Sequence, residues 1–420
     1  MKHVKIGVLV PGMVTATDVL AKNNQLILPK GLTLTDRAIA RLESYNIRTI
    51  RIEDPVGMDV EEVSEDELEE NTEESLAGDI IDESFLGMDA DSLLSALSAM
   101  EAAEPEPTSD ITSDDAKDHN ITVADQEEPS HFEKIQSSKD FQQFKQNFEE
   151  NVTELKGLIN DIVERNTPIN VDSMLNSTMN LLSTQNSSFG VFDMLHNMRQ
   201  FDDLTYAHSM NVALICNVFA DWLKLSEDEK KLATACGMLH DIGKLKIDNN
   251  IIKKPSKLTA EEYKAIQMHT AQGYKILQHQ NISEHIKNAA LMHHEKCDGS
   301  GYPLKLTAQK IDPYAKIVAI ADVYDAMTSA RVYRGALCPF TVIELFEDEG
   351  LHKYDIVFIM TFLENVINTY IDNRVLLSDG RKGVVKWIDK THLSKPMVQL
   401  PDGTFLELAK EKDLKIVQIL

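Results

Sequence analysis

The feature that most constrains this chain is a long acidic block in its first third. The 75 residues from Asp54 to Glu128 contain 26 acidic residues and one basic residue, whereas the rest of the 420-residue chain is almost balanced. Like charges at this density repel one another and resist packing, so the block is predicted to be mostly disordered. The chain is therefore expected to fold in separate parts on either side. Its net charge of −26 belongs to this block and gives no reason to expect a DNA-binding surface.

The segment before the acidic block, residues 1–53, has the pattern of a small mixed α/β unit. Strands are predicted at Val4–Val10, Leu26–Leu28 and Ile47–Ile52, and a helix is predicted at Thr35–Ser44. The unit contains no cluster of metal-ligating residues, so a packing or regulatory role is predicted for it.

An island of apolar residues interrupts the acidic linker, which is taken to span residues 54–131. The island runs from Ile80 to Met100. Its spacing fits either an amphipathic helix that docks on a protein partner or a transient helix within a linker, and the transient helix is favoured. Any protein partners are therefore expected at the N-terminal unit and this linker.

The rest of the chain divides into a long helical part and a short strand-rich part. Residues 132–195 and 196–372 show helical periodicity and are assigned to a connector and to a larger domain, with capping boxes beginning at Ser226 and Thr259. Residues 373–420 contain three strand-like runs and Asp-Gly turns, which predict a small antiparallel β domain. The predicted fold class is thus multidomain and mainly α-helical, with a small α/β N-terminal domain and a small all-β C-terminal domain.

Nothing in the sequence points to a membrane or to secretion. The first residues lack a long apolar run followed by a small-residue cleavage site, and no stretch approaches about 18 uninterrupted apolar residues. The four cysteines show no CxxC spacing, which disfavours a disulfide framework or a zinc knuckle. A cytoplasmic location without membrane contact is therefore expected.

Five of the thirteen histidines and two aspartates lie within or beside apolar runs of the helical part. Buried imidazole and carboxylate groups are energetically unfavourable unless they are paired or bound to metal. Seven such residues within 115 positions are difficult to explain as structural features, whereas the other eight histidines are assigned to surface or satisfied core positions. The seven residues are His208, His240, Asp241, His269 (predicted to lie on the helix that begins at Thr259), His293, His294 and Asp322.

This ligand set predicts a metal centre. Imidazole and carboxylate groups without thiolate suit iron, manganese, nickel, cobalt or zinc. Seven ligands exceed the number that one catalytic ion takes from a protein, so two divalent ions sharing a bridging carboxylate are expected. Ions about 3.5–4 Å apart stabilise the attacking and leaving oxygens of a phosphoryl displacement. Lys244, one turn after His240, is suited to hold a phosphate oxygen.

Two motifs in this region resemble the signatures of the HD-GYP family. The segment HDIGK at 240–244 is similar to the HD signature of metal phosphohydrolases, and HHEKCDGSGYP at 293–303 matches the HHExxDGxGYP signature. The upstream His208 and the segment DVYDA at 322–326 strengthen the match. The resemblance covers about 196–345, while the flanking units resemble modules fused to HD-GYP domains, including a small N-terminal α/β module, much less distinctively.

The resemblance implies a cyclic-di-GMP phosphodiesterase, whose substrate is the cyclic dinucleotide. It implies that Asp241, as the bridging ligand, and Lys244, on the scissile phosphate, are the catalytic residues. It also implies that Tyr302 shapes the substrate pocket, and that Arg331 and Arg334 contact substrate phosphates. The two implied metal sites are His208, His240, Asp241 and Asp322 for one ion, and Asp241, His269, His293 and His294 for the other.

Several positions near these motifs are left open by the sequence. Asp322 and Asp325 lie three residues apart on one helix face, and only the family pattern favours Asp322. Glu295 is either a partner for a ligating imidazole or a carboxylate on a helix surface. Gly299 and Gly301 are expected to form the tight loop that places Tyr302.

The start of the helical domain departs from part of the family. A subset of members has a glutamate four residues before the first histidine, where it holds a third metal, and this chain has Leu204 there. Because an apolar side chain cannot bind metal, a two-metal site is predicted. The main product is then expected to be linear pGpG, with slow onward cleavage to GMP. Asp202 and Asp203 are alternative orienting residues, although a surface role is favoured for them.

Three functions fit the sequence, and the phosphodiesterase is favoured. The alternatives are a non-catalytic cyclic-di-GMP receptor and an HD phosphohydrolase acting on another nucleotide. The receptor is disfavoured because every ligand-type position is filled. The apolar runs Phe340–Phe346 and Ile356–Ile367 are assigned to core packing, with a homodimer seam as the alternative. The C-terminal unit lacks the pattern of PilZ-type sensors, so a structural or interaction role is predicted.

Overall fold

The part of the chain that the structure describes leaves out the acidic linker. This computed structural model describes residues 2–53 with gaps, 131–183, 188–198, 204–329 apart from 255 and 257, and 336–420 apart from 412; the gaps in the first range are 11, 18, 21–25, 29, 35–37, 40–41, 43–46 and 48. The apolar island of the linker and most of the predicted helix Thr35–Ser44 lie outside the described residues.

The N-terminal unit contains two antiparallel strand pairs. They are β1 (Lys2–Lys5) with β4 (Thr49–Ile52), and β2 (Val19–Leu20) with β3 (Leu26–Leu28). The strand predicted at Val4–Val10 is wrong from Ile6 onwards, because β1 ends at Lys5 and the chain passes into a 3-10 turn at Ile6–Val8. Gly7 lies within that turn, and glycine weakens a strand interior. The strands close over a small core of their own.

Helices occupy most of the described chain between residues 131 and 370, in agreement with the helical periodicity. In chain order they are α1 (His131–Gln136), α2 (Lys139–Arg165), α3 (Val171–Ser183), α4 (Ser188–Asn197), α5 (Leu204–Trp222), α6 (Glu227–Leu239), α7 (Asn249–Ile252), α8 (Ala260–Gln267), α9 (His269–Leu277), α10 (Glu284–Met292), α11 (Pro313–Thr328), α12 (Pro339–Leu345), α13 (Leu351–Lys353) and α14 (Ile356–Val366). Shorter turns are 3-10 helices at Ile242–Lys246, Ala308–Lys310 and Ile367–Tyr370, and a π-helical turn at Phe346–Gly350. None of the helices in the described ranges is both long enough and apolar enough to cross a membrane.

Both predicted capping boxes are present, and they begin α6 and α8 at Ser226 and Thr259. The helix that follows Thr259 ends at Gln267, however, and His269 begins α9. The expectation that His269 lies on the Thr259 helix is therefore wrong. The imidazole explains the break, because its Nδ1 bonds to the carbonyl oxygen of Ile266 at 2.6 Å and so satisfies one acceptor of the last turn of α8.

Two helices cross the centre of the helical part and bring polar groups into it. Helix α5 buries residues on all sides, and helix α11 does the same from Tyr314 to Tyr324. A helix that is apolar all round is enclosed by its neighbours. Consequently His208 on α5 and Asp322 on α11 are carried into the interior, where they are 5% and 6% exposed.

The C-terminal segment forms a five-stranded antiparallel sheet that packs on the helical core. Its strands are β5 (Arg374–Leu377), β6 (Lys382–Trp387), β7 (Met397–Gln399), β8 (Phe405–Glu407) and β9 (Ile416–Ile419), in the order β8-β7-β6-β5-β9. The three predicted strand runs correspond to β5, β6 and β7, whereas β8 and β9 were not predicted. The buried residues of the sheet join most of those of the helices in one apolar cluster, which also contains the runs assigned to core packing. A smaller separate cluster lies between α9, α10 and the start of α11.

Candidate metal centre

The centre is built where helix α6 ends. His240 and Asp241 follow the helix directly and lead into the 3-10 turn at 242–246. Gly243 in this turn lies against the backbone of α9, since a Cβ atom on it would be 1.9 Å from the carbonyl oxygen of His269. The missing side chain therefore allows the turn that carries Asp241 to approach His269 closely.

Three imidazole rings are oriented by hydrogen bonds from Nδ1 to backbone carbonyl oxygens. The bonds run from His240 to Gly237 at 2.7 Å, from His269 to Ile266 at 2.6 Å, and from His293 to Ala289 at 3.0 Å. Because a carbonyl oxygen only accepts hydrogen bonds, Nδ1 must carry the proton in each ring. A neutral ring in this tautomer keeps a free lone pair at Nε2, which is the atom a metal would bind.

His208 is oriented in the same way by a carboxylate. Its Nδ1 lies 2.6 Å from Oδ2 of Asp325, whose Oδ1 accepts hydrogen bonds from Asn211 at 3.0 Å and Ser329 at 3.1 Å. On the other side of the ring, Asp322 Oδ1 lies 3.0 Å from Nε2. The structure thus places Asp322 among the converging ligand-type groups and Asp325 behind His208.

Replacing Asp325 with alanine is expected to weaken divalent-metal binding by about 10–100-fold, because His208 would lose the group that sets its tautomer and ring angle. Asp325→Asn should lose less, since the amide oxygen still accepts from Nδ1. Calorimetric titration with Mn²⁺ measures both.

The buried pair of Asp312 and His285, 2.8 Å apart, provides a control with the same chemistry elsewhere in the domain. His285→Gln should leave the Mn²⁺ affinity unchanged. Equal affinities for wild type and Asp325→Ala would contradict the orienting role.

The two oxygens of Asp241 face two different sets of imidazoles. Oδ2 lies 3.3 Å from Nε2 of His240 and 3.6 Å from Nε2 of His208. Oδ1 lies 3.3 Å from Nε2 of His269 and 3.8 Å from Nε2 of His293. A carboxylate placed in this way can serve both sets at once.

The ligand-type atoms of the centre form compact, overlapping groups, and together these groups contain all seven residues predicted from the sequence. Within each group the atoms lie within 4.8 Å of one another; the groups are His208, His240 and Asp322; His240, Asp241 and His293; and His269, His293 and His294.

The arrangement has too many acceptors unless a cation lies among them. Nε2 of His240 and Oδ1 of Asp241 are buried without a hydrogen-bond partner. The Nε2 atoms of His269 and His293 are 3.2 Å apart, and neutral rings with protonated Nδ1 face each other there lone pair to lone pair. Each unsatisfied buried group destabilises the fold by about 1–3 kcal/mol. A divalent cation would satisfy these atoms together, so the donor set fits a metal site.

Burial keeps most of the imidazoles neutral. It lowers the pKa of His269 to about 4 and holds the pKa values of His293 and His294 well below the usual range. His208 behaves differently in the metal-free chain. Burial also opposes its protonation, but hydrogen bonds with neighbouring carboxylates outweigh that effect and raise its pKa to about 9. A metal ion would take the place of this proton.

The two carboxylates stay ionised although they are buried. Burial alone would raise the pKa of Asp241, but the nearby His240 and Lys244 hold it well below the usual range. Burial also opposes ionisation of Asp322, and a hydrogen bond with His208 lowers its pKa well below the usual range. Neutral imidazoles and ionised carboxylates are the protonation states that metal binding requires.

Two further residues predicted from the sequence border the centre. The Nζ atom of Lys244 donates to Oδ2 of Asp241 and remains partly exposed. The ring of Tyr302 stacks on His294, with centroids 4.7 Å apart and an angle of 28° between the planes. Both side chains therefore lie directly beside the cluster of ligand-type groups.

Four other residues singled out from the sequence lie outside the described part of the chain. Arg331 and Arg334 lie outside the described residues, and so do Asp202 and Asp203. Leu204 is the first residue of α5, one turn before His208, and its side chain is not among those described.

Glu295 has a role that neither sequence alternative predicted. It is buried, and its carboxylate accepts hydrogen bonds from the backbone N–H groups of Leu304 at 2.6 Å and Leu306 at 2.9 Å. Gly301 packs against the same residue, because a Cβ atom there would lie 2.4 Å from Glu295 Cα. Glu295 thus closes the loop of residues 295–306, termed here the signature loop. A carboxylate just before a glycine-rich turn is the sequence signal for such a role.

These features define a class of protein: a helical metal-binding domain in which five imidazoles and two carboxylates meet at one buried centre. Residues 171–356 match the family model described as HD domain, and this part of the chain belongs to that family. The resemblance to HD-GYP proteins noted in the sequence is confirmed over the HD region.

Several known proteins are similar to this region. Cyclic di-GMP phosphodiesterase PA4108 of Pseudomonas aeruginosa is 33% identical over 189 residues, which cover 45% of each chain. The 3'3'-cGAMP-specific phosphodiesterase 1 of Vibrio cholerae is 39% identical over 145 residues, or 34% of each chain. Cyclic di-GMP phosphodiesterase response regulator RpfG of Xanthomonas campestris is 39% identical over 137 residues, covering 32% of this chain and 36% of that protein.

The chain spans less than half the length of these relatives. Among solved structures, Bd1817, an HDG"Y"P protein from Bdellovibrio bacteriovorus, aligns with a TM-score of 0.41 and 13% identity, covering 86% of this chain and 97% of that one. This structural overlap is too low to bear on fold or function.

Proposed function

We propose that this protein is a metal-dependent phosphodiesterase that hydrolyses cyclic-di-GMP to linear pGpG. The observation that carries the proposal is the position of Asp241, whose two oxygens face separate sets of imidazoles beside Lys244. Similar proteins, which include cyclic di-GMP phosphodiesterases, support the same chemistry.

The donor set supports two divalent ions, with iron or manganese favoured and nickel, cobalt or zinc as alternatives. One ion would be held by His208, His240, Asp241 and Asp322, and the other by Asp241, His269, His293 and His294. Such a pair would polarise the phosphoryl oxygens and make a water molecule nucleophilic at neutral pH. Asp241 would link the two sites, because its two oxygens lie within 3.3 Å of His240 on one side and of His269 on the other.

The remaining site residues would bind and orient the dinucleotide. Lys244 donates to Asp241 in this structure and is exposed enough to reach a phosphate oxygen as a compact positive charge. Tyr302, stacked on His294, would form a wall of the substrate pocket. Arg331 and Arg334 are proposed to contact the phosphates on the strength of the sequence motif alone.

The first test is hydrolysis of cyclic-di-GMP by protein purified without chelator, under anaerobic conditions, with Mn²⁺ or Fe²⁺ added. We expect pGpG as the main product, about two metal ions per chain, and loss of turnover after chelation that the added metal restores. Chromatography of the products and elemental analysis measure these quantities.

The outcomes of that assay separate the alternatives. Accumulation of GMP as fast as pGpG would contradict the interpretation of Leu204. Tight binding without hydrolysis at full metal content would indicate a receptor.

A second substrate is favoured by a specific observation. Three similar proteins are named 3'3'-cGAMP-specific phosphodiesterases, and one of them is 39% identical over the matched region. Cyclic-di-GMP and 3'3'-cGAMP, in which one guanine is replaced by adenine, contain the same 3'–5' phosphodiester bonds, so the metal centre would act on either. Comparison of kcat/KM for the two cyclic dinucleotides therefore belongs in the same experiment.

The surrounding regions are proposed to regulate or support this activity. We assign residues 1–53 to a small α/β domain, 54–131 to an acidic linker, 132–195 to a helical connector, 196–372 to the catalytic domain and 373–420 to the β domain. Protein partners are proposed at the first two regions, with homodimer formation as an alternative use of the apolar helices. A cytoplasmic location and the absence of DNA and membrane partners complete the proposal.

A further inference from the structure

The signature loop contains a cation that the proposed chemistry does not use. Lys296 lies two residues after His294 in the sequence. Nζ donates a hydrogen bond of 2.8 Å to the hydroxyl oxygen of Tyr354 and lies 4.2 Å from the centroid of the same ring. The backbone N–H of the next residue, Cys297, donates to the carbonyl oxygen of Lys353 at 2.8 Å. Two consecutive loop residues are thus attached to one short segment outside the metal centre.

That segment is held in turn by the π-helical turn at Phe346–Gly350. The rings of Phe346 and Tyr354 meet edge to face, with centroids 5.5 Å apart. Gly350 lies between them, since a Cβ atom on it would be 3.1 Å from Phe346 and 3.6 Å from Tyr354. Single π-helical turns occur frequently at functional sites.

The same π-helical turn is fastened to the C-terminal sheet. Glu347 is buried, and its carboxylate accepts hydrogen bonds from the backbone N–H of Leu393 at 2.8 Å and the hydroxyl of Ser394 at 2.6 Å. Both donors lie in the connection between β6 and β7. A continuous set of contacts therefore runs from the C-terminal sheet, through the π-helical turn and Tyr354, to the signature loop.

We infer that Lys296 and Tyr354 form a brace that positions the signature loop for substrate, and that Glu347 fastens the C-terminal sheet to this brace. The inference deepens the proposed function, because the loop carries Tyr302, the proposed wall of the substrate pocket. The loop is closed at its base by Glu295 and held at its outer side by the brace. Tyr354 is accordingly proposed as a positioning residue, which acts on the substrate pocket through the signature loop.

The test compares Tyr354→Leu with Tyr354→Phe in the full chain. The leucine variant loses both the ring and the hydroxyl, so KM for cyclic-di-GMP should rise about tenfold, with kcat within about threefold and metal content unchanged. The phenylalanine variant keeps the ring under the ammonium group and the contact with Phe346, and its KM should rise only about twofold. Lys296→Met should resemble Tyr354→Leu.

A merely structural role for Tyr354 would give a different pattern. The fraction of active protein, and with it kcat and metal content, would then fall while KM stayed constant, and the phenylalanine variant would offer no rescue. A constant KM in Tyr354→Leu would overturn the inference, and so would a Tyr354→Phe variant that is as impaired as Tyr354→Leu.

The contact between Glu347 and the C-terminal sheet is tested by a second pair of variants. Glu347→Ala should raise KM about threefold, because the π-helical turn loses its attachment. Glu344→Ala removes a different contact with the sheet, the 2.9 Å ion pair with Lys415, and should leave KM unchanged. Equal KM values for the two variants would contradict the inferred role of Glu347 in holding the brace.

Amide hydrogen exchange separates this inference from the proposed function. The N–H groups of Leu304 and Leu306 report on loop closure whether or not the protein hydrolyses a dinucleotide. Faster exchange at both amides in Tyr354→Leu, but not in Tyr354→Phe, would support the brace even if wild type showed no hydrolysis. Unchanged exchange in both variants, together with unchanged KM, would rule it out.

Discussion

Replacing Asp241 with alanine is expected to lower the rate of cyclic-di-GMP hydrolysis by about 10³-fold or more and to reduce the metal content of the purified protein. The reason is geometric. The oxygens of Asp241 reach both sets of imidazoles, at 3.3 Å from His240 on one side and 3.3 Å from His269 on the other. Removing it takes one ligand from each proposed metal site and leaves Lys244 without its partner in the centre.

The comparison with Asp325→Ala makes this prediction specific. Asp325 acts on one imidazole from behind, so its loss should reduce turnover by about 10–100-fold, well short of the loss at Asp241. Single-turnover kinetics and elemental analysis of both variants establish the order. If Asp241→Ala retained two metals and near-wild-type turnover, the shared carboxylate and the proposed two-metal mechanism would both be wrong.

The sequence was most informative where the chemistry is local. Capping boxes depend on residues three apart, and both were predicted correctly. The metal-centre residues could be selected because ligand-type side chains stand out within apolar runs, and the structure brings all seven together. The strands β5 to β7 were found because alternation and Asp-Gly turns are also local signals.

The features missed from the sequence depend on contacts between distant segments. Asp322 and Asp325 share one helix face, and only the position of His208 on α5 separates their roles. The role of Glu295 depends on hydrogen bonds from backbone N–H groups nine and eleven residues later in the chain. The short strand β8 has only three residues, none of them fully buried, and lacks clear alternation, so it has little periodic signal of its own. Each of these features depends on which distant segments of the chain come into contact. The local residue pattern does not contain that information.

The close approach of the HDIGK turn to α9 is one such contact, and two glycines at this interface allow it to be tested. A Cβ atom on Gly243 would lie 1.9 Å from the carbonyl oxygen of His269 and 2.4 Å from the backbone nitrogen of Gly273. No side-chain rotation relieves an overlap with backbone atoms, so the turn would have to move away from α9. A Cβ atom on Gly273 itself would make ordinary contacts of 3.4 to 3.6 Å.

Gly243→Ala is therefore expected to destabilise the helical domain by about 3 kcal/mol or more, which corresponds to a fall in Tm of roughly 6–12 °C for a domain of this size. Metal affinity should fall as well, since the displaced turn carries Asp241 away from His269. Gly273→Ala, in the interior of α9, should leave Tm unchanged or raise it slightly, because alanine favours a helix over glycine by about 1 kcal/mol. Thermal unfolding of both variants with chelator isolates the packing effect, and Mn²⁺ titration then reports on the centre. If the two alanine variants had the same Tm, the turn would not be packed against α9 as described, and the position of Asp241 between the two sets of imidazoles would lose its structural basis.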